Sequence, residues 1–140
     1  MIRSAEEFIK LCLSQDPEEI NKTLSDSAAL ETWVKVIEKH PERRIDVAQN
    51  RTISEEVMQI LASCDDSTVR SLIAQKRRLA PDLFPLLARD PDETVRRAIA
   101  ANQKTPLELV RILTTDSIES VASVAEYNLR ERLKDERYGY

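Results

Sequence analysis

The stretch Asp90-Pro91-Asp92-Glu93-Thr94-Val95-Arg96-Arg97-Ala98-Ile99-Ala100-Ala101-Asn102 decides the fold of this chain. Asp90-Pro91 ends one segment, and Asp92 offers its carboxylate to the free N–H groups of the next, which is how many helices start. Val95, Ala98 and Ile99 then recur at i, i+3 and i+4, the spacing of one helix face. Asn102 closes the helix. The chain has a single glycine, Gly139, so asparagine is the residue expected in the left-handed position after a helix. The same letters return at a step of 26 residues: Val69-Arg70, Val95-Arg96 and Val121; Leu61, Leu87 and Leu113; Ala48, Ala74 and Ala100; Asn50, Asn102 and Asn128.

Working outward, Pro81-Asp82 opens a helix holding Leu83, Phe84, Leu86 and Leu87, which Pro85 should keep short or distorted. Residues 54–63 carry Val57, Met58, Ile60 and Leu61; residues 67–75 carry Val69, Leu72 and Ile73; residues 106–114 carry Leu107, Leu109, Val110, Ile112 and Leu113. Residues 118–133 form a long last helix with Val121, Val124, Ala125, Leu129 and Leu133, and read as a C-terminal cap. Before residue 50 the pattern is less regular. Leu30, Trp33, Val34 and Ile37 form a stripe stopped at His40-Pro41, Ser4 can cap a helix with Phe8, Cys12 and Leu13, and Asp16-Pro17 opens another with Ile20 and Leu24.

The expectation is one all-α domain over residues 1–140, built as an α-solenoid of about five antiparallel helix pairs. Residues 1–40 hold the degenerate pairs, 41–128 the clear repeats, and 129–140 the cap and the tail Tyr138-Gly139-Tyr140. A lone short amphipathic pair is marginal in water, and stacking buries the stripes in a shared core.

Composition agrees with a helical, aliphatic core: 41% hydrophobic, 33% charged and only 4% aromatic residues. The formal net charge is −4. Residues 1–70 hold 14 acids and 9 bases, residues 71–140 hold 11 acids and 12 bases. That balance argues against general nucleic-acid affinity and permits a basic partner. Cys12 and Cys64 make no disulfide framework, the start reaches Glu6 and Glu7 before any apolar run, and no stretch approaches a membrane span. A reducing cytoplasm is the expected compartment.

Over residues 44–128 the pattern resembles the leucine-rich repeat variant and HEAT-like families of α-solenoids. The residues that carry the resemblance are Asp90 to Arg96, Ile99-Ala100-Ala101-Asn102, the weaker copies Asp65 to Arg70 and Val47-Ala48-Gln49-Asn50, and the proline-opened Pro106-Leu107-Glu108-Leu109. Departures are Cys64 where Asp90 and Asp116 stand, Lys76 in place of the Asn, and Ala122 in place of the Arg. The resemblance implies a HEAT-like stack whose second helices line a concave face, and a scaffold or binding role for many kinds of partner.

Each candidate chemistry has a plain structural alternative. The Asp-rich turns lack the glycine-centred loop of a calcium site and suit helix N-termini, within reach of Arg70 and Arg96 inside or between repeats. Arg77-Arg78, Arg96-Arg97 and Lys104 form a modest basic cluster with only Tyr127 near them in the alignment, too few bases and aromatics for a single-strand groove. Cys12 and Cys64 read as small buried hydrophobes, and His40 as a residue at a helix end. No nucleophile, metal or cofactor motif appears, so no enzyme activity and no cofactor are expected. The expected role is to hold another protein; the sharpest version is an immunity- or antitoxin-type inhibitor covering a basic toxin or nuclease with an acidic surface. An adaptor in a larger assembly is the alternative, and a nucleic-acid binder the third. Candidate partner contacts are Glu18, Glu19, Asp26 and Glu31, Trp33 if its stripe is exposed, and Arg97 and Tyr127 on the second helices.

Overall fold

The computed structural model describes residues 1–138. It is all-helical, with 66% helix, ten α-helices and no β-strand among the described residues. The chain divides into two compact units, 1–63 and 64–140.

The first unit holds α1 (Ala5–Cys12), α2 (Pro17–Ser25), α3 (Leu30–Lys39), a 3-10 turn at Pro41–Arg43, α4 (Arg44–Gln49) and α5 (Glu55–Ala62). Its helix starts follow the sequence. Ser4 accepts from the Glu7 N–H at 3.0 Å and Asp16 from the Glu18 N–H at 3.0 Å, with Pro17 in the first turn where its missing N–H costs nothing. α1 packs on α2 and α3, and α3 on α4 and α5. Phe8 and Trp33 meet edge to face at 5.1 Å between ring centroids in the core. Ile2 is buried too, its N–H donating to the Ser27 carbonyl at 2.8 Å, a tie from the N-terminus that no periodicity announces.

The second unit holds α6 (Ser67–Ala74), α7 (Leu83–Leu87), α8 (Glu93–Ala101), α9 (Leu107–Leu113) and α10 (Glu119–Tyr138). α8 packs against both α6 and α10; α7 packs on α6 and α8, and α9 on α8 and α10. Asp66 and Asp92 cap α6 and α8 by accepting from the N–H groups of Thr68 and Thr94. Pro85 sits inside α7, which is only five residues long. Val69, Val95 and Val121 are all buried, so residues 26 apart in sequence supply core to α6, α8 and α10.

Three expectations need correction. Asn50 and Asn102 do not take the left-handed position: their φ values are −67° and −70°, and no described residue has positive φ. Cys12 and Cys64 are half-buried rather than core. Ile60, Leu86 and Ile112, all read as stripe residues, are exposed. The reason is geometric. In α7, Leu83, Phe84 and Leu87 stand at i, i+1 and i+4 and share the buried side, while i+3 on so short a helix is left outside. Val57, Met58 and Leu61 in α5 do the same and leave out Ile60. The Tyr138-Gly139-Tyr140 tail lies outside the described residues beyond the backbone of Tyr138.

Candidate binding grooves

Two sets of side chains tie the second unit together, and they separate structural residues from those open to a partner. Arg70 grips Asp90 with two hydrogen bonds, Nε to Oδ2 at 2.8 Å and Nη2 to Oδ1 at 3.1 Å, and Arg96 grips Asp116 in the same way at 2.8 and 3.3 Å. Each Arg also donates backward, Arg70 to the Cys64 carbonyl and Arg96 to the Asp90 carbonyl, both at 2.9 Å. The pairs therefore run between repeats, with Arg reaching 20 residues ahead. The Asp116 carboxyl is held below its ordinary pKa by the Arg96 hydrogen bonds, with the Ile118 N–H adding to them. The second tie is the Asn ladder. Asn102 Nδ2 donates to the Ala74 and Lys76 carbonyls at 2.9 and 3.0 Å, and Asn128 Nδ2 to those of Ala100 and Asn102 at 2.8 and 3.2 Å. In the first unit Asn50 reaches the Thr23 and Asp26 carbonyls at 2.8 and 2.9 Å. These asparagines are buried, and their amides bridge backbone carbonyls at and beyond the ends of the preceding helices; the Lys76 and Asn102 carbonyls accept in addition from the N–H groups of Leu79 and Thr105.

The candidate contacts fare unequally. Trp33 is 2% exposed, so it belongs to the core and drops out of the candidate surface. Asp26 is half-buried and structural: its carbonyl accepts from Asn50 and its carboxylate faces the N-terminal amine at 3.5 Å. Arg97 is not free either. Its Nη2 donates to Ser120 Oγ at 3.0 Å and to Glu93 Oε1 at 3.4 Å, and its Nε is buried with no hydrogen-bond partner. Glu18 and Glu31 are exposed, Glu19 is half-buried, and Tyr127 is 64% exposed.

The first unit carries two open grooves. One, of about 530 Å³, runs between α1 and α2 and is lined by Glu6, Ile9, Lys10, Leu13 and Glu19. Leu13 is 64% exposed there, an aliphatic side chain left in water in a groove whose charged lining is Glu6, Glu19 and Lys10. The other, of about 330 Å³, lies along α3 on Leu30, Glu31, Val34 and Glu38, with Lys35 and Lys39. Residues 1–63 contain 12 acids and 8 bases and residues 64–140 contain 13 of each, so the whole net charge of −4 resides in the first unit.

The second unit carries a groove of different character, about 570 Å³, where the end of α8 meets the middle of α10. Arg77, Lys104 and Arg132 line it with Tyr127, Val124 and Glu131. Arg77 and Lys104 are exposed and have no ion-pair partner among the described residues. Arg132 also donates to the Thr105 carbonyl, which fixes it against the loop after α8. Of the sequence candidates, this groove brings together Arg77, Lys104 and Tyr127 and leaves Arg97 out. Arg132 was hidden by the reading of the last helix as a polar cap. The Asn102 to Asn128 step held the signal: it pins that part of α10 to the end of α8, so the side chains one turn on, Glu131 and Arg132, come beside Lys104.

Among the described residues no three His, Cys, Asp or Glu side chains converge as a metal site, and no helix is long and apolar enough to cross a membrane. No known family, no curated protein and no solved structure matches the chain.

Proposed function

We propose that this chain is a non-enzymatic protein-docking module, built as a HEAT-like α-solenoid of about five antiparallel helix pairs, whose acidic first unit seats a basic protein. Its most specific form is an immunity- or antitoxin-type inhibitor that covers the active surface of a basic toxin or nuclease. The solenoid reading is supported by the repeated ties, Arg70 to Asp90 and Arg96 to Asp116, made by the same residue types at the same step. The observation that carries the docking reading is Leu13. It is 64% exposed in a groove shared with Glu6 and Glu19, in the unit that holds the full net charge of −4. An apolar anchor with a charged rim gives a partner area to bury at the centre and a field to orient it at the edge.

The test is capture from native lysate with the wild-type chain and with Leu13→Glu, Glu18→Lys and Glu19→Lys combined. A basic protein held by the wild type, released by the variant and weakened by added salt supports the reading. If it is a toxin, its activity falls in proportion to added chain. Several weak partners with no inhibited activity would favour an adaptor instead. Recovery of the chain with no tight partner, or a partner indifferent to the three substitutions, would sink the proposal.

A further inference from the structure

The groove of the second unit has the opposite charge from the first unit's surface and is left unexplained by it. Three cationic groups face it, and two of them, Arg77 and Lys104, form no ion pair among the described residues. Of the other bases of this unit, Arg70 and Arg96 are spent on Asp90 and Asp116 and Arg97 on Glu93 and Ser120, while the exposed Arg78, Arg89, Arg111 and Arg130 lie outside the groove, so what sets the groove apart is the convergence of three cations on one concave surface. The groove also lies at the end of α8, where exposed carbonyls would repel an anion. Here three of the last four carbonyls are occupied. Ala98 accepts from the Asn102 N–H, Ile99 from the Thr105 hydroxyl and Ala100 from the Asn128 amide. These bonds weaken the opposing pull of the helix end without removing it, and the three cations outweigh it. Beside them Tyr127 presents most of its ring to solvent, a flat surface with a hydroxyl at its tip.

We propose that this groove docks an acidic peptide segment of a protein partner, its carboxylates held by Arg77, Lys104 and Arg132 and its backbone laid on the Tyr127 ring. A guanidinium beside an ammonium suits carboxylates one or two residues apart, the first taking a planar two-oxygen contact and the second a point charge. Glu131 lines the same groove. A phosphodiester strand would have to pass that carboxylate with a charge on every residue and only one ring to stack on. A peptide of mixed side chains can place a donor or neutral residue there. The inference does not rest on the acidic-surface docking proposed above and can hold without it.

The experiment is fluorescence anisotropy on the full chain with fluorescein-labelled hexaglutamate, hexalysine and a dodecamer of deoxythymidine. Saturable hexaglutamate binding is expected, with hexalysine silent and affinity falling as salt rises. Arg77→Ala with Lys104→Ala should weaken it about tenfold or more, Tyr127→Ala by about threefold or more, and Arg77→Lys should retain most of it. All these side chains are exposed, so circular dichroism should be unchanged. No saturable hexaglutamate binding, binding indifferent to the double variant, or tighter binding of the oligonucleotide would each overturn the proposal.

Discussion

Replacing Asn102 with glycine separates two accounts of the same residue. If the asparagine served its backbone, in a left-handed position past a helix, glycine would be as good or better there. The structure puts it at φ −70° and ψ 120°, where any residue is comfortable, and makes the side chain the reason for its presence. That side chain donates to the Ala74 and Lys76 carbonyls at 2.9 and 3.0 Å, and its Oδ1 accepts from the Lys104 N–H at 2.9 Å. Each such bond is worth about 1 kcal/mol net, and a buried carbonyl stripped of its donor costs about 1–3 kcal/mol. The Ala74 bond is buried; the other two are partly open, so water recovers some of their loss. Asn102→Ala should therefore cost about 3 kcal/mol, and Asn102→Gly about 0.5–1 kcal/mol more through the freer unfolded chain. Asn102→Asp keeps the acceptor but turns the donors into a carboxylate facing two carbonyls, and should be at least as damaging as alanine. Asn128→Ala is the control. Asn128 lies inside α10, where no cap position exists, yet makes the same two bonds, so it should lose about 2 kcal/mol. Urea unfolding measures all four. At a slope of roughly 1–3 kcal/mol per M, a loss of about 3 kcal/mol lowers the midpoint by roughly 1–3 M with the slope unchanged. A midpoint for Asn102→Gly equal to or above that of the wild type would refute the bridging account.

The Asp116 carboxyl is held below its ordinary pKa by Arg96, so its stabilising share is complete above the unfolded-state value and fades as pH falls through the folded one. Asp116→Asn should be less stable than the wild type at pH 7, and the gap should narrow below about pH 4 in acid-unfolding curves. Ile112→Lys and Leu86→Lys should change stability by less than about 0.5 kcal/mol, while Leu87→Ala, one residue from Leu86 but fully buried, should cost about 2–5 kcal/mol in thermal or urea melts. Trp33 is the single tryptophan and is buried against Phe8, so its emission should be blue-shifted and resist iodide until the first unit unfolds; quenching like that of a free indole would contradict its place in the core. The half-buried Cys12 thiol is pushed up to about 11 by desolvation, so in a Cys64→Ser background its reaction with a disulfide reagent at pH 8 should be slow and should speed up with rising pH.

Much of the local structure was legible because its causes are local. Asp16, Asp66 and Asp92 start helices with their own carboxylates, Pro85 shortens α7 with its own ring, and the valines of the repeat alternate with polar neighbours at helical spacing. What was not legible depends on partners distant in sequence. The letters allowed Arg96 to pair with Asp90 or Asp92 close behind it; the helix packing hands it Asp116 ahead and leaves Asp90 to Arg70. Apolar type alone could not tell Leu86 from Leu87, because on a five-residue helix the burial of each depends on which neighbours arrive, not on a moment too short to define. The groove of the second unit was only half visible for the same reason. Arg77 and Lys104 stand out as bases, but their convergence with Arg132 and Tyr127 follows from the amide of Asn128 clasping the end of α8.

The two ladders also explain why a 26-residue step can persist while so many residues between its fixed points vary. Arg70 to Asp90 links α6 to the start of α8, and Asn102 links the end of α8 back to the end of α6. Arg96 to Asp116 and Asn128 to Ala100 repeat this for α8 and α10. Two ties at opposite ends set both the spacing and the register of a helix pair, so an insertion in one turn would break a buried bond at each end, whereas a substitution on the outer side breaks none. Cys64 replaces the Asp and Lys76 replaces the Asn at one and the same step of the repeat, and it is there, at residues 63 and 64, that the chain divides into its two compact units. The repeat is thus tightest where its tying residues are present, through α6, α8 and α10, and the side chains that those ties do not use, Arg77, Lys104 and Tyr127 among them, are the ones with freedom to meet a partner.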